Sequence, residues 1–81
     1  MKARQLISNA SYGPEELKVL FAAFDQAWAA VEADVGAEPS AVEAARLKLA
    51  NIILGLAGQG RRDIAWLKAT ALRLLAGGGA R

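Results

Sequence analysis

Residues 42–57 constrain the fold more than any other stretch. Placed on a helix at about 100° per residue, Val42, Ala45, Leu49, Ile52, Ile53 and Leu56 make one apolar face. Leu47, Ala50, Leu54 and Ala57 carry the apolar arc well past half the circumference, and only Ala44, Lys48, Asn51 and Gly55 leave a thin small-and-polar stripe. A helix apolar over that much of its surface has to be covered on more than one side. It is therefore expected to be the central helix of a bundle, the seam of a dimer, or both. Arg46 falls inside the arc and calls for a carboxylate, with Asp25 and Glu32 as candidates.

Stop and start signals place two further helices around it. Gly13-Pro14-Glu15-Glu16 reads as a helix start: proline suits the first helical position and carboxylates suit the positive end of the helix dipole. Tyr12 and Leu17 have the spacing of a hydrophobic staple. Leu17, Phe21, Phe24, Trp28, Val31 and Val35 then recur at steps of four and three, a narrow stripe that Gly36 ends and Pro39 keeps from continuing. Ser40 with Glu43 three residues on has the capping-box pattern for the next helix. Gly58, Gln59 and Gly60 break that helix, and Asp63 caps a third. Its buried face is expected to be Ile64, Leu67, Ala71, Leu74 and Leu75, with Trp66, Thr70 and Arg73 on the other side; Trp66 is either an exposed hot spot or covered by the terminal arm or the loop after the first helix.

These signals predict an all-α fold: a small antiparallel up-down-up three-helix bundle over residues 13–76, with helices at 14–35, 41–57 and 63–76. Short connections favour antiparallel neighbours, and no apolar alternation supports a strand. Residues 1–12 form an N-terminal arm or a short extra helix. Residues 77–81, opening on Gly77, Gly78 and Gly79, form a flexible tail.

Composition narrows the chemistry. The 81 residues include no cysteine and no histidine, which removes disulfides, thiolate nucleophiles, imidazole catalysis and Cys/His metal sites. Each carboxylate has a structural explanation as a helix cap or a surface charge, so no enzyme, cofactor or metal is expected. The longest apolar stretch is interrupted by Glu43, Arg46, Lys48 and Asn51, and neither a membrane span nor a signal peptide is read; a cytoplasmic protein is expected. The net charge of +2 conceals a split: residues 13–38 carry −5, and residues 44–81 carry +6.

That basic half raises a nucleic-acid reading through Arg61, Arg62, Lys68 and Arg73. Gly58-Gln59-Gly60-Arg61-Arg62 before a helix is the corresponding anion site. It lacks the phosphate-loop spacing, and the outward face of the third helix offers few base-reading side chains. Apolar residues off the main stripes point instead to a protein interface, with Leu47, Leu54, Gly55, Trp66 and Leu72 as its candidate residues.

Residues 11–20 (Ser-Tyr-Gly-Pro-Glu-Glu-Leu-Lys-Val-Leu), Phe24-Asp25-Gln26-Ala27-Trp28 and residues 44–54 resemble short helical proteins of alpha-proteobacteria over roughly residues 10–76. The resemblance implies a bacterial, cytoplasmic protein and carries over no catalytic residue, cofactor or substrate. The functional expectation is a non-enzymatic helical protein–protein interaction module, self-associating as a homodimer or docking on a protein partner. A small basic nucleic-acid-binding protein or regulator is the alternative.

Overall fold

The computed structural model describes residues 2–10, 12–60 and 63–79, leaving aside the side chains of residue 2 and residues 76–79. Four helices follow one another: α1 (Lys2–Ser8), α2 (Pro14–Val35), α3 (Pro39–Ala57) and α4 (Ile64–Gly79). No strand occurs among the described residues, and the fold is a small all-α bundle.

The start of α2 follows from its sequence. Gly13 caps it in an extended conformation, Pro14 takes the first helical position, and Glu16 folds back to accept the Gly13 N–H at 3.0 Å. At about 1.5 Å per residue its 22 residues span the bundle's 33 Å long axis. Its buried face is Leu20, Ala23, Phe24, Ala27 and Trp28, with Leu17, Phe21, Val31 and Val35 half-buried at the edges. The helix ends at Gly36, whose φ of 87° and ψ of −165° lie in a region open essentially to glycine alone.

The start of α3 departs from the expectation. Glu38, not Ser40, is its N-cap, and the Glu38 carboxylate accepts from the Ala41 N–H at 3.0 Å and from the Ser40 hydroxyl. Pro39, past the end of α2, opens α3, because its fixed φ is already helical and its missing N–H would have had no partner there. The connection from α2 is thus only three residues long. After α3, Gly60 turns the chain at a φ of 90°. Asp63 caps α4 as expected, accepting the Trp66 N–H at 3.1 Å. The helix begins one residue later than expected and runs on through Gly79, so Gly77–Gly79 are helical rather than the start of a tail. A glycine weakens a helix by about 1 kcal/mol without barring its backbone geometry. Residues 80 and 81 lie outside the described residues.

Covering of α3 decides the packing. It packs against all three other helices, while α2 also packs along α4. The α1 segment settles the choice left open for the N-terminal stretch: Lys2–Ser8 is a helix, lying mainly on α3, with a lighter contact to α2 and none to α4 among the described residues. Its Ala3 and Ile7 are fully buried, joining Phe24, Leu20, Leu49, Ile53 and Leu67 in one core. Arg4 ties α1 to α2, donating to Asp25 at 2.7 Å with its guanidinium 4.6 Å from the Phe21 ring centre. The arc of α3 is therefore covered within one chain, by a fourth helix that carries no strong start signal of its own.

Candidate functional site

The exposed line of α3 runs through Ala41, Ala44, Lys48, Asn51 and Gly55, which contains the small-and-polar stripe read from sequence. Asn51 turns its amide back to the Leu47 carbonyl at 3.1 Å and so contributes to its own helix. Of the two carboxylates expected for Arg46, one is engaged elsewhere. Asp25 belongs to Arg4, and the Arg46 guanidinium stacks 4.9 Å from the centre of the Trp28 ring. An aromatic face attracts a guanidinium through the ring quadrupole. The Trp28 Nε1 and a Glu43 oxygen are also buried there, with no hydrogen-bond partner among the described residues.

The five interface candidates differ in exposure. Leu47, Leu54, Trp66 and Leu72 are each half-buried and packed against the core. Gly55 is exposed, and a β-carbon there would meet nothing within 4 Å, so no helix approaches it in the monomer. Of the two readings open for Trp66, exposed or covered, the half-buried side chain is nearer the covered one. Thr70, one turn along the same line, is 8% exposed, and the seat of α4 is rotated toward that line. Leu74, expected in the core, is 45% exposed instead and is the large apolar side chain left most open among the described residues.

The basic candidates also separate. Arg61 and Arg62 lie outside the described residues. Lys68 is half-buried and Arg73 exposed, and five residues apart on a helix puts them about 140° apart, on different faces. A continuous phosphate-tracking stripe on α4 is not what these two positions make. No three acidic side chains come together as a potential metal site among the described residues, and no helix there is long and apolar enough to cross a membrane.

What the packing leaves open is a groove of about 390 Å³ between the later halves of α2 and α4. Val31 and Val35 line one side, Leu72 and Leu75 the other, with Ala30 and Asp34 completing it. Because residues 30–35 lie beside Leu72 and Leu75, α2 and α4 run in the same sense, with α3 turned back between them. Small Ala30 leaves room where a larger residue would fill. Of this set, sequence marks only Leu72 as an interface candidate, since the groove depends on how far two helices distant in the chain diverge at their ends. Sequence does carry one sign of it: the α2 stripe continues through Val31 and Val35, beyond the residues that become fully buried.

Asp34 is the charged residue in the groove's lining. Glu32 and Asp34 sit at the C-terminal end of α2, where no basic residue answers the helix dipole, and exposed Glu38 follows in the turn. The Ser40 hydroxyl, and then the Ala41 N–H, hold the Glu38 carboxyl below its ordinary range, which keeps it charged. Neither Asp34 nor Arg73 has an ion-pair partner among the described residues. No protein family, curated protein or solved structure matches the chain.

Proposed function

We propose that the protein is a non-enzymatic helical interaction module that associates with a second copy of itself through the α2/α4 groove. The observation that carries this reading is the open apolar groove with exposed Leu74 on the same end of α4. Seating an apolar side chain in such a groove gains roughly 1.5–3 kcal/mol. A two-fold contact makes the gain twice. Grooves of this kind take amphipathic helices whose anchors recur at helical spacing. The wide apolar arc of α3, which raises self-association from sequence, is covered by α1, α2 and α4, so the contact belongs at the groove instead.

Light scattering coupled to size exclusion, run across the micromolar range, tests this. The wild-type chain is expected to move from monomer to dimer with concentration. Leu74→Glu, at an exposed position, is expected to stay monomeric with unchanged helicity. A wild type that remains monomeric throughout, or a Leu74→Glu variant that dimerises as well as the wild type, would overturn the reading.

A further inference from the structure

Self-association through the groove leaves the register of the two copies open, and any register inferred from charge rests on that self-association. A two-fold contact lays one surface of each copy on the same surface of the other, so a cation on it must meet an anion. The anion is Asp34, exposed and part of the groove's lining. The cation is found by direction on α4. At about 100° per residue, Lys68 falls within about 10° of the bisector of groove-lining Leu72 and Leu75, one turn nearer the start of the helix. Asp34 lines the groove beside those two leucines, so Lys68 and Asp34 stand toward opposite ends of one line. Lys68 is half-buried, and neither it nor Asp34 has an ion-pair partner among the described residues. Ala65 and Ala69, both exposed, follow on the outer side of that line, where a second helix can come close without displacing long side chains.

We infer that two copies cross antiparallel over this line, with the two-fold axis beside Leu72, so that Lys68 of each copy pairs with Asp34 of the other. Turning a copy about an axis at that level exchanges the two ends of the line, and each end then meets its opposite charge. A parallel crossing would instead set Lys68 on Lys68 and Asp34 on Asp34, like charge on like. A half-buried lysine suits the role, because its methylene stem covers apolar surface while its ammonium stays at the edge. The negative end of the α2 dipole, with no basic residue in its last turn, adds to the pull of Asp34 on that ammonium.

Charge reversal tests it by sedimentation equilibrium at low salt, with circular dichroism as the folding control. Asp34→Lys and Lys68→Glu are each expected to weaken dimerisation roughly tenfold, because a two-fold contact turns two attractions into two repulsions. The double variant should return to within about threefold of wild type, since both pairs are restored with their signs exchanged. An equimolar mixture of the single variants should form a mixed dimer in preference to either homodimer: one copy is then acidic at both positions, the other basic, and both crossings attract. A pair made within each chain would gain nothing from mixing. Should Lys68→Glu not fold, Lys68→Gln keeps most of the stem, and added to Asp34→Lys it should restore part of the lost dimerisation by removing the repulsion. If the wild type dimerises but the single variants do so equally well, or the double variant or the mixture fails to recover, the Lys68–Asp34 register is overturned while self-association stands. If the wild type stays monomeric, both fall.

Discussion

Replacing Ile7 by alanine asks whether α1 is part of the bundle or a strap laid over it. Ile7 is fully buried in a seven-residue helix whose main neighbour is α3. Such a short helix has no stability of its own in water, so its structure comes from the contacts it makes. Truncating a fully buried isoleucine to alanine costs about 2–5 kcal/mol. A chain of 81 residues has roughly 4–12 kcal/mol of folding stability to lose. A mid-range loss of about 3 kcal/mol lowers the melting temperature by roughly 12–24 °C in a domain of this size. Ile53→Ala provides the reference, because Ile53 is equally buried in the middle of α3. Urea unfolding followed by circular dichroism should give the two variants comparable losses with an unchanged denaturant slope. A loss under about 1 kcal/mol for Ile7→Ala, beside a full loss for Ile53→Ala, would refute the view that α1 completes the cover of α3. The same conclusion would hold if the variant kept its midpoint but lost slope, since that is how an undocked N-terminal helix would register.

Three further outcomes are expected. Gly36→Ala should destabilise by about 1–3 kcal/mol through backbone conformation alone, nothing lying within 4 Å of the added carbon; Gly55→Ala, helical and equally open, should stabilise by about 0.5–1 kcal/mol, and paired thermal melts decide both. Arg4→Met should cost about 1 kcal/mol or less, because the pair with Asp25 is half exposed, and the ion-pair share should fade as salt is raised in denaturant titrations. The Glu38 carboxyl sits below its ordinary value of 4.5 in the folded protein, so the stability it contributes is present above that pH and lost as pH falls through the lowered value. Protection of the Ala41 amide, measured against its intrinsic exchange rate at each pH, should therefore fall on acidification, and Glu38→Gln should remove that pH dependence.

The parts of this fold that sequence discloses are those set by neighbours in the chain. Gly13, Pro14, Glu16 and Gly36 fix both ends of α2 through local backbone chemistry, and each acts as its residue type requires. At the start of α3, the cap differs from the one expected. Glu38 wins over Ser40 because Pro39 fits the first helical position, a choice decided by one turn's geometry. Wheel positions disclose the exposed stripe of α3 because almost everything else on that helix is apolar. They fail for Leu74 and Thr70 on α4. There the seat is set by two separate neighbours, which turn the Thr70 line inward and leave the last turn beyond its cover. The helix at α1 and the groove at the far ends of α2 and α4 both arise from distant contacts that no local pattern carries.

The dependence of α1 on α3 imposes an order on synthesis. Of the four helices α1 is made first, yet it is too short to persist alone, and the helix it lies on is complete only at Ala57. At roughly 5–20 residues per second, the ribosome takes about 2–10 s to deliver the residues between Ser8 and Ala57. Through that interval Ile7 and Ala3 have no place to go, and α2 and α3 meet before α1 closes over them. The first helix written in the sequence is thus a late one to settle, and the nascent chain exposes its widest apolar surface just before that happens.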